Sequence, residues 1–385
     1  MLSKRLTDRF RRITTSGAYY PEIDGIRFLC IVMVMLCHVT MYVQTYILPA
    51  DVTKLSPLLY AVLNGGLGVF PFFALSGYIL SLPFLKAKFG KQNPPSLKKY
   101  FLRRLTRLEP PYIISLILSF AVLVWVLHKF TFQDLLPNFL ASLFYVHHLF
   151  FPYANPVVLP VAWTLEVEMM FYILLPFLLF LLYKIPTLPR RLIIFSVIIF
   201  VPFLPLGIFS GNRFLLANIP YFFAGVMIAE HVALNEKPLA FIPDIIKPAL
   251  LAALFVWFFL AGYPALGFNH AGFGAITLYV IFNLLIIDKA GYSFFANKYI
   301  ATIGGMCYSL YLTHYAVISF IGRFIHRPFF GGNFLLNLLA YTFIFLVPAL
   351  LAGAVFYLLI EQPAMRKTWW KKTGSKVVTT SAVQH

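Results

Sequence analysis

Apolar residues run through this chain in ten long blocks, separated by short connections in which the basic residues collect. The blocks fall at approximately 26–48, 60–84, 111–128, 158–183, 191–209, 213–232, 247–266, 271–288, 299–323 and 335–360. Each approaches the ~20 apolar residues that a helix needs to cross a hydrocarbon core. Lipid offers no water to unpaired backbone groups, so the pattern predicts helices throughout. The expected fold class is therefore all-α, a polytopic membrane protein with about ten transmembrane helices. The stretch 131–157 differs: it is apolar, but broken by prolines and too short to cross as one straight helix. A re-entrant or interfacial segment on the outer side is expected there.

Composition agrees, with 61% hydrophobic and only 11% charged residues among 385. The net charge of +18 would suit a nucleic-acid partner, but its distribution argues otherwise. With the N-terminus placed in the cytoplasm, 25 of the 31 Lys and Arg fall on the cytoplasmic side. The opposite side receives Lys54, Lys129, Arg213, Arg323 and Arg327. The positive-inside rule then puts both termini in the cytoplasm, and nucleic acid is not needed to explain the charge. The first twelve residues are basic enough to open a signal peptide, yet the apolar stretch behind them is too long for one and contains Arg27 and His38. A retained helix is expected. The chain divides into a basic cytoplasmic tail at 1–19, a membrane domain at 20–366 and a second cytoplasmic tail at 367–385, the latter lying on the anionic inner leaflet. Cys30, Cys37 and Cys307 sit in apolar segments with no C-x-x-C pair, which reads as small buried hydrophobes.

Two polar residues in the first span point to chemistry. Arg27 and His38 are eleven residues apart, nearly three helical turns, so they share one face roughly 16 Å apart along the axis. A charge in hydrocarbon costs at least ~2.5 kcal/mol, which makes an intramembrane ionisable residue a functional candidate by default. Imidazole can take and return a proton near neutral pH, as a general base must. The structural alternative is a neutral histidine on a carbonyl and an Arg27 paired with Asp24.

Other candidates lie elsewhere in the chain. Arg103, Arg104 and Arg107 precede the third span, with Arg104 and Arg107 three apart on a probable helix, a fork suited to phosphates. Positive-inside charge is the plainer reading. In the fourth span, Glu166 and Glu168 point roughly 200° apart, so at most one can face His38. The ninth span adds Tyr308, Ser309 and His314, and its Gly304 and Gly305 suggest close helix packing. His147 and His148 read as interfacial, and no zinc ligand set is expected.

Six stretches together resemble the integral-membrane acyltransferase type 3 family. They are Ile23-Asp24-Gly25-Ile26-Arg27 with ten residues before His38, Phe72 to Tyr78 around Ser76-Gly77, Arg103-Arg104-Leu-Thr-Arg107 with Pro110 and Tyr112, Trp163 to Glu168 with Phe171-Tyr172, Tyr308 to His314, and Ile360-Glu361-Gln-Pro363. They occur in family order over residues 20–366. The pattern departs from the family at Glu166, where a serine is usual, at Met169, where a second acid is usual, and at Thr164 and Thr313. Glu168 therefore inherits the family role and Glu166 does not.

The resemblance implies ten membrane helices in the inner (plasma) membrane and an acyl-CoA co-substrate, acetyl-CoA in the first instance, with no bound cofactor. It implies transfer of the acyl group to a hydroxyl of a carbohydrate, glycolipid or similar cell-envelope acceptor. His38, Arg27 and Glu168 are the expected catalytic residues, with Glu168 orienting or recharging the imidazole. Arg103, Arg104 and Arg107 are expected to hold the donor, while Tyr308, Ser309, Tyr172 and His314 are candidates for substrate or oxyanion contact. An acyl-enzyme on His38 or Ser309 is the alternative route. Some relatives carry an extracytoplasmic hydrolase domain after the membrane part; none is expected here, since the sequence ends about twenty residues past the tenth span. The rival class is a transporter or flippase for a sugar or lipid-linked precursor, for which intramembrane Arg, His and Glu are equally natural.

Overall fold

The computed structural model describes residues 10, 20–49, 56–151, 154–204, 215–261, 263 and 271–366. Both basic tails, apart from Phe10, and the outer-side residues Lys54 and Arg213 lie outside the described residues. Every regular element among the described residues is helical. Six helices are long and apolar enough to cross a membrane: Pro21–Ile47, Pro57–Lys88, Leu97–Val126, Pro160–Leu182, Leu215–Leu234 and Phe334–Ala364. Lys247–Phe259 and Gly274–Ile287 are apolar but shorter.

The first span, α1 (Pro21–Tyr42), starts on a proline at its first turn, where the missing N–H costs nothing. It is followed by α2 (Pro57–Leu63), α3 (Val69–Lys88) and α4 (Leu97–Ala121). The structure moves one predicted boundary here. The arginine segment is the first part of α4, continuous with the span through Pro110 and Pro111, and only residues 89–96 form the connection. Charge ended the apolar block at 111, but it did not end the helix.

The Pro-broken outer segment folds as α5 (Phe132–Leu143) and the single turn α6 (His147–Phe150). Next come α7 (Trp163–Leu182), α8 (Thr187–Phe200), α9 (Leu215–Leu234), α10 (Lys247–Phe259), α11 (Gly274–Phe282) and a short α12 (Tyr292–Phe295). The predicted ninth span is two helices, α13 (Lys298–Gly305) and α14 (Cys307–Gly322), broken at Met306. α15 (Phe334–Phe356) closes the bundle and ends in a π-helical turn, Tyr357–Glu361.

α1 runs through the middle of the bundle and packs against α3, α13, α14 and α15. Glycines bring backbones together where it does so. A Cβ on Gly304 would lie 1.7 Å from the Asp24 carbonyl oxygen, and one on Gly25 would lie 2.0 Å from that of Phe295. A second seam joins α3 to α9, where a Cβ on Gly77 would meet Phe222 O at 2.1 Å and one on Gly225 would meet Ala74 O at 1.9 Å. Between lipid-facing helices there is no hydrophobic drive, so such close approach is what holds a pair together.

Polar anchors sit at one end of α8 and α9. Glu230, fully buried, accepts from Arg190 Nη2 at 3.1 Å, from Arg191 Nε at 2.7 Å and from the Tyr183 hydroxyl at 2.5 Å. Arg191 also reaches Glu236 at 2.7 Å. The basic pair at 190–191, which the sequence accounts for as positive-inside charge, is thus a buried clamp across two helices.

Two changes probe this architecture. Gly304→Val should cost on the order of 3 kcal/mol or more, because the obstacle is backbone and cannot move aside. Gly332→Ala, where an added Cβ meets nothing within 4 Å, serves as the silent control in thermal unfolding of detergent-purified protein. Glu230→Ala should cost about 3–5 kcal/mol by leaving the buried Arg190 without its acid and Arg191 with Glu236 alone; equal midpoints for this variant and the unmodified protein would refute the clamp.

Candidate active site

α1 is unbroken from Pro21 to Tyr42, so the rise of a helix alone sets Arg27 and His38 about 16 Å apart on one side. Arg27 donates from Nη1 to Asp24 Oδ1 at 2.5 Å, one turn earlier. That is the structural pair open in the sequence. It engages one of five N–H donors, and Arg27 also lines a cavity.

The cavity holds about 860 Å³ of empty space, its mouth included, between α1, α3, α4, α7 and α14. Its polar wall is Arg27, Arg104, Arg107 and Glu168; much of the rest is apolar, including Val69, Phe72, Phe73, Leu75, Ile79 and Leu165. Arg104 and Arg107 reach the same wall because they are three apart on α4. Arg104 Nε is buried with no hydrogen-bond partner, and its guanidinium lies 5.7 Å from the centre of the Tyr172 ring. Arg103 is exposed and faces a second cavity of about 810 Å³, with Pro94, Pro95, Lys99 and Tyr100. The two cavities share Ile79, Leu80 and Arg104.

Glu168 belongs to this wall. Its Oε1 accepts hydrogen bonds from the Ser76 and Tyr172 hydroxyls. The stretch around Ser76-Gly77 thereby acquires two physical reasons, the serine holding the carboxylate and the glycine admitting α9.

His38 is half-buried, and its hydrogen-bond partner is His314, with Nδ1 and Nε2 3.1 Å apart. The direction of that bond follows from the next one. His314 Nδ1 lies 2.8 Å from the Leu310 carbonyl, which can only accept, so Nδ1 carries the hydrogen. Neutral His314 then offers Nε2 as an acceptor, and His38 must donate from Nδ1. His38 Nε2 is left as the lone-pair nitrogen, the form a base requires. Tyr315 stands edge-on to the His38 ring at 5.3 Å between centroids.

Several expectations change. The sequence assigns the orienting partner of His38 to Glu168, but the structure gives that place to His314; Glu168 is bound by Ser76 and Tyr172 among the arginines. Ser309 is fully buried and its hydroxyl donates to Glu361 Oε2 at 2.5 Å, so it is not displayed to a substrate. The same oxygen accepts the Ser309 amide at 3.0 Å, which makes Glu361 the cap of α14 at the break. Tyr308 lines the cavity and donates to the Leu108 carbonyl at 2.9 Å, while Tyr172 lines it and donates to Glu168. Glu166 points away and meets His148 Nδ1 at 2.5 Å. His147 and His148 are buried, not displayed at an interface, the former with Asn138 at 3.0 Å. Cys30 and Cys37 are buried as expected, whereas Cys307 is half-buried on the cavity wall.

Two residues with no role read from sequence come forward here. Tyr311 and Thr164 line the cavity end nearest the histidines, their hydroxyls 2.6 Å apart. Tyrosine in an apolar helix carries little signal by itself; its place three residues before His314 on one helix face was the available hint.

Ser309→Ala should keep enzymatic turnover within about threefold, because its hydroxyl is spent on Glu361. Glu361→Ala should lower stability by about 1–3 kcal/mol through the uncapped amide and the orphaned hydroxyl. Turnover assays paired with thermal unfolding check both, and loss of turnover in a well-folded Ser309→Ala protein would restore an acyl-enzyme at that position.

Comparison with known proteins bears on the family of the chain. O-acetyltransferase OatA of Staphylococcus aureus strain NCTC 8325 / PS 47 is 25% identical over 395 aligned residues, covering 94% of this chain and 60% of that protein. OatA of strain COL matches to the same extent. The chain thus spans about 60% of the length of these curated relatives. No solved structure matches it. A family model described as an acyltransferase domain matches residues 20–358, nearly the whole helical bundle, and the chain belongs to that acyltransferase type 3 family.

Proposed function

We propose that this chain is a multi-pass plasma-membrane O-acyltransferase. It takes an acyl group, acetyl in the first instance, from a coenzyme A thioester in the cytoplasm. It passes that group to a hydroxyl of a carbohydrate or glycolipid of the cell envelope. The similar proteins are O-acetyltransferases by name, which supports the chemistry. Ten spans with both termini cytoplasmic follow from the apolar blocks and from 25 of 31 basic residues falling on one side.

A match of lengths carries the reading. Arg27 and His38 are about 16 Å apart along α1. The pantetheine arm from diphosphate to sulfur is roughly twelve bonds, the reach of about four extended residues or ~14 Å. A diphosphate against Arg27, Arg104 and Arg107 therefore delivers the thioester to the level of His38. Guanidinium forks suit phosphate oxygens, and the apolar remainder of the cavity suits the arm. The adjoining cavity with Lys99, Tyr100 and Arg103 is the place for the nucleotide head, Arg104 standing at the junction. Glu168, fixed by Ser76 and Tyr172, sets the spacing of the arginines against over-tight binding of the product thiol.

The acceptor hydroxyl comes from the opposite side. His38 Nε2 takes its proton as the oxygen attacks the thioester carbonyl. The C–S bond then breaks, and the departing thiolate recovers the proton from His38. His314 holds His38 in the productive tautomer and accepts from its Nδ1–H throughout, so the imidazolium is stabilised without a buried carboxylate. Tyr308, a hydroxyl on the cavity wall, donates to the developing oxyanion once its bond to Leu108 is exchanged.

Membranes containing the protein, supplied with labelled acetyl-CoA, should transfer label to envelope glycan. His38→Ala should reduce transfer at least about a thousandfold while donor binding persists. His314→Ala should lower kcat by about a hundredfold and leave the donor KM unchanged. Arg104→Ala should raise the donor KM about tenfold or more, an effect that shrinks in high salt. Movement of a glycan precursor without acylation would overturn the enzyme in favour of a transporter.

A further inference from the structure

The donor cavity stops short of the histidine pair, and one side chain stands where it stops. Tyr311 and Thr164 line the cavity, whereas His38 and His314 do not contribute to that lining. The ring of Tyr311 lies 6.0 Å from that of His314, whose Nε2 is 3.1 Å from His38. A thioester rising from the arginines thus meets Tyr311 before the base.

The phenol is held from two directions. Its hydroxyl lies 2.5 Å from the Val161 carbonyl, which can only accept, so the single phenolic hydrogen goes there. The Thr164 hydroxyl lies 2.6 Å from the phenolic oxygen and 3.4 Å from that same carbonyl, closing a three-membered cluster. Thr164 opens α7 and Val161 lies in the turn just before it, Pro160–Ala162, and α7 also carries Glu168 on the cavity wall. The ring is therefore fixed to the same rigid element as the donor site, and it cannot swing aside without breaking two buried hydrogen bonds. Phe72 and Leu165 line the same cavity, so its walls offer bulk on several sides.

We propose that Tyr311, clamped by Thr164 and Val161, is the acyl-length stop of the donor cavity. It leaves room for a two-carbon acyl group on the cavity side of its ring and excludes longer chains. This rests on the acyltransferase reading above and adds a specificity to it. A pocket that merely gains or loses a methylene discriminates by about 10–200-fold. A fixed ring should reach the upper part of that range over several methylenes.

The test compares acetyl-, butyryl- and hexanoyl-CoA as donors to membranes containing the unmodified protein, Tyr311→Phe and Tyr311→Ala. The kcat/KM ratio of hexanoyl to acetyl should rise at least about tenfold in Tyr311→Ala and stay within about threefold in Tyr311→Phe, which keeps the ring. An unchanged ratio in an active Tyr311→Ala protein overturns the stop. Because truncating a buried ring can unfold the chain, the unmodified protein carries a second measurement with non-transferable S-ethyl, S-butyl and S-hexyl coenzyme A. Affinity should fall about tenfold or more from ethyl to hexyl; equal or tighter hexyl binding, the ordinary result of added apolar surface, overturns the proposal. Failure of every donor and every thioether to bind would instead remove the acyltransferase reading itself, so the two failures are distinguishable.

Discussion

A fixed charge inside an apolar bundle has to be met by another charge or by a ligand, and this requirement organises the structure. Arg190 and Arg191 meet Glu230, and Lys247 meets Asp288 at 2.8 Å. Arg27 meets Asp24, and Lys289 reaches Glu22 at 3.3 Å. These pairs tie helix to helix or turn to turn. The wall where Arg104 and Arg107 stand beside Glu168 is different in kind, because two guanidiniums share one carboxylate around an open space. Within a low-dielectric surround such a surplus is costly unless an anion enters. The fold keeps it there at the expense of its own stability, which is the ordinary mark of a binding site.

Backbone geometry does a comparable job for the histidine pair. The i−4 carbonyl of α14 fixes a hydrogen on His314, and that single choice propagates through one bond to expose the lone pair of His38. Among the described residues, the hydrogen bonds of the pair run from one ring to the other and to the Leu310 carbonyl, not to an acid. A neutral relay suits a site far from bulk water, where a buried carboxylate would add a charge to solvate.

Much of this was legible before any coordinates, because span-length apolar runs and the spacing of Arg27 and His38 are local properties. The same holds for the Arg104–Arg107 fork, since three residues on one helix always share a face. What escaped was whatever depends on partners distant in the chain. His38 and His314 are separated by 276 positions, and nothing in either segment names the other. The family pattern assigns Glu168 a catalytic role but not a partner, and α7 sets it against Ser76 and Tyr172 on the arginine wall. The break at Met306 was hidden by continuous apolar composition, although Gly304-Gly305 marked the place. Glu230 passed unnoticed as a lone acid in an apolar stretch, where its need for a cation was itself the clue.

The cap on α14 ties the histidine pair to the last helix of the bundle. Glu361 sits at the end of a π-helical turn, some fifty positions beyond the amide it receives, and α14 is seated only when that carboxylate arrives. Because Glu361 lies 52 positions after Ser309, α14 can meet His38 and still lack its latch. Seating of the histidine pair therefore waits on α15, a helix that supplies neither ring.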